Sequence, residues 1–459
     1  MDLNNLYSHT YVVGMLNAES KPNELSRYDW DEVVMLEKDF VSRKMDYYTS
    51  LLDSMMKTKG RAVPEFLKEV CHYKAKMDKV YKDIEIKLPE DDKTRKPERT
   101  YKFMLCSIDL YCFPLGIVLF VIEIDDSGCD LDDMTYVHGL WKEWGNFCIK
   151  NKCDYLERAM APIENLLRKE NKDLSQIAAN GTKTKMYQIV ITDKEEVDDA
   201  LLYEIGSFSP IGVVNADKSF KKKFLKPSKE YFDLIMKENT VSAFDNWKGL
   251  ALNDSFTVLA SGEKEIKNDG TEVFIFNSWP QENLYFPLLY LRCFFEKCFC
   301  FSRNTQYRRD KDGRTDNVEK LLREISNMDR YYFYDDISYN FLPPMIYRSI
   351  KKGMNLETDL EEMKIHIKEN LQEERRQRYN MMLYVVTAFA AFSVSWSLYS
   401  FIDEIMTADT TPNFWKVFFL VLSFLLFGTC LILMYLRTPR KPLLRKRPGR
   451  NMYRNATPA

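Results

Sequence analysis

The chain's most telling chemistry is a row of oxygen-bearing side chains near its C-terminus. Ser393, Ser397, Ser400 and Glu404 fall at i, i+4, i+7 and i+11 and therefore share one face of a helix, which Ala390 and Val386 continue toward the N-terminus. Small and hydroxylated residues on one face either let helices approach closely or line water. A stripe that ends in a carboxylate favours the second reading, because copies of Glu404 around an axis would form a ring attractive to cations. Asp403 and Asp409 would add to the acidic mouth where ions enter. Leu383, Val386 or Val394 would supply an apolar constriction that excludes water from such a pore. One helical hairpin cannot enclose a pore alone, so a homo-oligomer is required.

Other reactive residue types are more dispersed. Asp125, Asp126, Asp130, Asp132 and Asp133 offer oxygen ligands suited to a divalent cation, but without EF-hand spacing they read first as a solvated turn and helix N-terminal acids. Ten cysteines without framework spacing read as reduced, mostly buried thiols, and the cluster Cys293, Cys298, Cys300 has no histidine near it in sequence. His9, His72, His138 and His366 fall in different elements and read as structural or exposed. No Walker A loop, HExxH, GxSxG or dinucleotide-binding glycine fingerprint occurs, so no catalytic site is expected. The formal charge of −2 includes eight bases after Leu436; without them the chain stands near −10, which argues against bulk nucleic-acid binding.

Two apolar runs must position the stripe. Met381 to Ile402 and Val417 to Leu436 each have the length of a membrane-crossing helix and carry no charge. They predict a transmembrane hairpin with an external loop at 403–416 and a basic tail at 437–459 lying on anionic lipid headgroups. Arg375, Arg376 and Arg378 before the first run, and the basic tail after the second, put both termini in the cytoplasm by the positive-inside rule. The opening MDLNNLYSHTYVV lacks a basic segment followed by an apolar core, so the large N-terminal part is expected in the cytoplasm, beneath an inner (plasma) membrane that the chain crosses more than once.

The preceding residues, 1–342, predict an α+β domain. Apolar spacing from Tyr28 to about Tyr81 reads as two or three helices, and the charged stretch from Pro89 to Arg99 as a linker. Strands follow at Tyr101 to Tyr111, Leu115 to Ile124 and Met186 to Thr192, with a helix from Met134 to Glu170 between the second and third. Phe256 to Ala260 and Val273 to Asn277 read as a hairpin, and Pro287 to Phe301, which carries Arg292, Glu296 and Lys297, as a buried helix. A helix at Asn317 to Asn327 comes next. After Pro344 one unbroken stalk helix, 343–380, is expected to run into the first span, with Leu356, Leu360, Met363, Ile367 and Leu371 forming an apolar stripe.

This plan resembles the CorA-type divalent-cation channels, in which a cytoplasmic α/β domain, a stalk helix continuing into a pore-lining span, a short loop and a second span form an oligomeric funnel. The local match is RYNMMLYVVTAFAA, where Asn380 and Thr387 stand where that family places polar residues at the start of its pore helix, and Ser397 near its pore threonine. The family's Gly-Met-Asn filter is missing from the loop; Gly353, Met354 and Asn355 spell the triplet about 26 residues before the first run and are read as chance. The resemblance implies a pentamer. Without the filter the chain resembles the membrane effectors of type III CRISPR antiviral systems, whose cytoplasmic domain binds a nucleotide second messenger, an adduct of S-adenosylmethionine with AMP. Such a ligand implies aromatic faces and cationic forks, for which Trp279, Tyr307, Arg308, Arg309 and Lys221 to Lys223 are the candidates by type. A magnesium-type cation transporter and a membrane-anchored scaffold or enzyme are the alternatives.

Overall fold

Arg99–Phe113 (RTYKFMLCSIDLYCF) and Ile117–Asp125 (IVLFVIEID) alternate and cluster β-branched and aromatic side chains, and in the computed structural model they form the strands at the heart of a large sheet. The structure describes residues 5–16, 30–36, 54–59, 64–75, 81–88, 99–142, 184–192, 196–215, 225–266, 272–275, 286–309, 315–333, 337–338 and 341–406, with 418 and 421. It divides into two units, Met1–Ile365 and His366–Ala459.

The strands are β1 (Asn5–Leu16), β2 (Trp30–Glu32), β3 (Val34–Leu36), β4 (Lys57–Lys59), β5 (Cys71–Ala75), β6 (Tyr81–Leu88), β7 (Arg99–Phe113), β8 (Ile117–Asp125), β9 (Lys185–Thr192), β10 (Thr240–Phe244), β11 (Trp247–Ala251), β12 (Ser255–Ser261), β13 (Glu263–Ile266) and β14 (Glu272–Ile275). The helices are α1 (Leu131–Trp141), α2 (Asp199–Gly206), α3 (Lys229–Asn239), α4 (Phe286–Arg309), α5 (Thr315–Tyr331), α6 (Leu342–Gly353) and α7 (Leu356–Met406). Ten strands build the main sheet in the order β10-β11-β12-β9-β1-β8-β7-β5-β2, with β6 also on β7. Neighbours are antiparallel except β9 and β12. One sheet face, through Val12, Ile108, Leu110, Phe120 and Ile122, packs on Met134, Val137 and Trp141 of α1 and Leu201, Leu202 and Ile205 of α2. The other face receives α4, where Phe295 stacks on Phe113 with ring centroids 4.1 Å apart and Tyr290 meets Tyr187. A mixed sheet with helices on both faces explains why β8 and β9 are buried almost throughout.

Several expectations from the sequence change here. The predicted helices between 28 and 81 are replaced, among the described residues, chiefly by β2, β3, β4 and β5, with a short 3-10 turn at Glu65–Leu67; β5 pairs with β7 and β2 with β5, long-range pairing that outweighs local spacing. The proposed hairpin of 256–260 with 273–277 does not form. β12 pairs with β9 and β11, and β14 pairs with β13. The stalk is not continuous, because α6 ends at Gly353 and α7 begins at Leu356. The Gly-Met-Asn triplet is the cause of that break. A β-carbon on Gly353 would lie 2.7 Å from the Ala251 carbonyl carbon, Met354 is wholly buried, and Asn355 takes the left-handed conformation at φ 55°.

Among the described residues no helix is long and apolar enough to cross a membrane. The C-terminal transmembrane hairpin, the multi-pass inner-membrane placement and the pore built on them are corrected accordingly. Positions 381–402 are the C-terminal part of α7, where the hydroxyls of Tyr384, Thr387, Ser393, Ser397 and Ser400 dilute the apolar character that hydrocarbon demands. The second run, 417–436, lies outside the described residues apart from two positions, and the basic tail wholly so.

Candidate functional site

On the sheet face that α4 partly covers, the other end of the central strands carries polar side chains where a core would be apolar. In β1, Tyr7, His9 and Tyr11 alternate onto this face; in β7, Ser107, Asp109 and Tyr111 do the same. Register then assembles them: Tyr11 and Ser107 both oppose Glu123 of β8, and His72 of β5 opposes Tyr111. The outcome is a ladder across four strands.

The ladder runs from His9 to His72. His9 Nε2 lies 3.1 Å from Glu123 Oε1, and the Tyr7 hydroxyl is 2.6 Å from His9 Nδ1. Ser107 Oγ is 2.8 Å from Glu123 Oε2 and 2.5 Å from Asp109 Oδ2, while Asp109 Oδ1 lies 2.7 Å from His72 Nε2. His72 stacks on Tyr111 at 4.2 Å. His72 and Asp109 are buried, whereas the His9 and Glu123 side chains keep 14% and 24% exposure, so the ladder opens to solvent at the His9 end.

Electrostatics follow from that geometry. Burial opposes charge on His9, but hydrogen bonds to Cys106 and Glu123 and their negative charge outweigh it, pushing the imidazole up to about 10. Glu123 is the converse: burial would raise it, yet hydrogen bonding and charge from His9, with help from Ser107 and Lys74, hold it below the ordinary carboxylate range. Burial first, and then the Asp109 and Glu123 charges, push the Tyr111 phenol well up. Ser107 has one proton and two carboxylate neighbours, so it donates to one of them only. A Ser-His-Asp arrangement would need an imidazole beside Ser107; here both imidazoles sit beyond the acids. The arrangement suits recognition of hydrogen-bond donors and proton sharing.

A second polar chain is buried on the opposite face. Asp126 Oδ2 accepts from Tyr101 at 2.6 Å and lies 2.7 Å from His138 Nε2; His138 Nδ1 meets Gln188 at 3.0 Å, and Gln188 donates to Thr257 at 3.3 Å. Fully enclosed, it ties β8, α1, β9 and β12 together.

The residues singled out from the sequence are distributed otherwise. Asn380, Leu383, Val386, Thr387, Ala390, Ser393, Val394, Ser397, Ser400, Asp403 and Glu404 all belong to α7; the Thr387 hydroxyl bonds back to the Leu383 carbonyl at 2.7 Å. Tyr307, Arg308 and Arg309 are the last residues of α4, away from the ladder's strands in sequence, while Trp279, Asp409 and Lys221 to Lys223 lie outside the described residues. The acidic turn serves the fold: Asp130 caps α1 by accepting from Asp133 N at 3.1 Å, and Asp132 accepts from Ile211 N at 2.6 Å. Among the described residues no group of three or more His, Cys, Asp or Glu is arranged to hold a metal ion. The sequence reading missed the ladder. Its available signal was the period-2 recurrence of polar residues in Tyr7-His9-Tyr11 and Ser107-Asp109-Tyr111 inside otherwise apolar strands.

Neither a family model, nor a curated protein, nor a solved structure matches this chain. The fold and site therefore define a class alone: a helix-flanked mixed sheet that carries a histidine–carboxylate ladder on one face, with a long helix after it.

Proposed function

We propose that the chain is a homo-oligomeric, ligand-responsive protein, in which the sheet ladder recognises a small polar ligand and α7 joins copies of the chain. The observation that carries this reading is the exposed apolar surface that α7 presents among the described residues. Met381, Met382, Leu383, Phe389, Trp396 and Phe401 are each 51–72% exposed, and the first three, on consecutive positions, point to different sides of the helix. A helix apolar around much of its circumference is normally surrounded. Burying such side chains is worth about 1.5–3 kcal/mol each, so six per copy meet an association cost on the order of 4–15 kcal/mol.

Glu123, the ladder's partly exposed acceptor, suits ligands rich in hydroxyl and amine donors, the groups that a nucleoside offers. A nucleotide such as the S-adenosylmethionine–AMP adduct is accordingly the first ligand to test, and five the first copy number. Light scattering on the full chain is expected to give a multiple of 54.3 kDa, and Phe389→Asp with Trp396→Asp to lower it. A wild-type chain that stays monomeric at high concentration overturns the assembly. Equilibrium dialysis with the adduct and with AMP tests the ligand: binding weakened by Glu123→Gln supports the ladder, and undiminished binding places the ligand elsewhere.

A further inference from the structure

Three lysines from separate elements meet where β9 begins. The Thr184 hydroxyl donates to the Trp141 carbonyl at 2.5 Å, which sets the end of α1, and with it Lys142, beside Lys185, the first residue of β9. The Met186 amide donates to the Asp254 carbonyl at 3.0 Å and brings the turn between β11 and β12 to the same place. There the Asp254 carboxylate takes both ammoniums, Lys142 Nζ on Oδ2 and Lys185 Nζ on Oδ1, the second at 3.1 Å. Lys185 also donates to the Asn253 carbonyl. From α4 the charge of Lys297 reaches Lys185, while Lys297 Nζ donates to the Met354 carbonyl at 2.6 Å and pairs with Asp359.

These contacts leave the cations short of counter-charge. Three ammoniums face two carboxylates, and Asp254 is divided between two of them. The Lys185 side chain keeps only 10% exposure, so water makes up little of the difference. Burial, with the Lys297 charge, lowers the Lys185 amine in spite of Asp254, as follows for a cation that lacks a full partner. Hydrogen-bond donors are left over as well. Among the described residues the acceptors just named take one N–H of Lys142 and two each of Lys185 and Lys297, out of three on each ammonium.

We propose that Lys142, Lys185 and Lys297 form a binding site for a phosphate group. A phosphate supplies the missing negative charge, and its several oxygens accept from donors on three elements, where a carboxylate offers two oxygens only. Asp254 and Asp359 keep the lysines in place before the anion arrives. Lys142 is further held over the Phe208 ring, with Nζ 5.7 Å from its centroid. Through Lys297 the site adjoins the Met354 carbonyl at the break between α6 and α7. It requires neither the ladder's ligand nor the proposed oligomer.

The test is equilibrium dialysis of the full chain against radiolabelled inorganic phosphate, with chloride keeping the ionic strength constant. Saturable binding is expected, weakened about tenfold or more by Lys142→Gln and by Lys185→Met. Glu123→Gln alters only the ladder and should leave phosphate binding unchanged, which separates this site from the ladder's ligand. Lys142 is the more exposed of the two lysines on Asp254, at 28%, so Lys142→Gln keeps the test decisive if Lys185→Met does not fold. Unlabelled AMP that displaces the label identifies the phosphate of a nucleotide as the ligand, and label that AMP leaves in place identifies free phosphate. Absence of saturable binding by the wild type overturns the proposal. So does binding that a folded Lys142→Gln chain retains in full.

Discussion

Replacing Asp126 by alanine removes the carboxylate that joins β7, β8 and α1. Its side chain and that of His138 have no exposed surface, and its Oδ2 accepts from Tyr101 and lies against His138 Nε2 at 2.6 and 2.7 Å. Burial would keep such a group neutral, but the charge and hydrogen bond of His138, with bonds from Ser8 and Tyr101, hold the Asp126 carboxyl below its ordinary value, so it is ionised at neutral pH. Hydrogen bonds to a charged group contribute about 1.5–3 kcal/mol each, and breaking a buried pair from one side costs about 3–5 kcal/mol. Both routes lead to a loss of about 3–5 kcal/mol for Asp126→Ala. His138→Ala should cost a comparable amount, since it strands the carboxylate. The double variant should fall short of the sum by about 1–3 kcal/mol, because the two single changes delete the same interaction. Urea unfolding followed by tryptophan fluorescence measures all three, with Trp141 reporting locally since it stacks 5.1 Å from His138. Single losses under about 1 kcal/mol, or strict additivity, would refute the assignment of this pair as a joint of the fold.

Two further changes probe the packing and the charges. Gly353→Ala should destabilise the chain by about 1–3 kcal/mol, because the new methyl group meets Ala251 backbone and β-carbon at 2.7–2.8 Å and no flexible side-chain tip can yield; thermal unfolding checks it, and an unchanged midpoint would mean that α6 stands further from β11. Asp126 and Glu123 both titrate lower in the folded chain than their ordinary values of 3.8 and 4.5. Their stabilisation is therefore complete above those values and lost as pH falls through the lower folded ones. Denaturation midpoints measured from neutral pH into this acid range should fall steeply for the wild type and less steeply for Asp126→Asn; parallel slopes would exclude Asp126 as a source of the acid sensitivity.

The parts legible in the sequence are those decided by neighbours a few residues apart. The turn at Pro114 between two β-rich runs, the strand at 185–192 and the helices at 286–309 and 315–331 all follow from period 2 or period 3.6 in one short window. Arg292 and Glu296 correctly argued that α4 is a buried helix rather than a span, and they pair within it at 3.3 Å. The opening MDLNNLYSHTYVV shows only the lack of a basic segment and apolar core, yet Asn5–Leu16 is a central strand whose Ser8 and Thr10 face the helix-covered layer and whose Tyr7 and His9 face the ladder. Its polar residues were evidence about partners that no local window contains.

The chain's serine stripe and acidic end were visible at once, since helix spacing alone puts Ser393, Ser397, Ser400 and Glu404 on one side of α7. What the sequence by itself determined, then, was periodicity: which residues share a face, where apolar runs lie and where proline interrupts them. The tertiary structure decided which faces meet. It turned Gly353-Met354-Asn355 from coincidence into a helix break, because only the approach of Ala251 forbids a side chain there. It also drew His9, Glu123, Ser107, Asp109 and His72 from four strands into one ladder, because strand register is set by the burial of whole sheet faces and one extra residue at Cys106 brings Ser107 opposite Glu123.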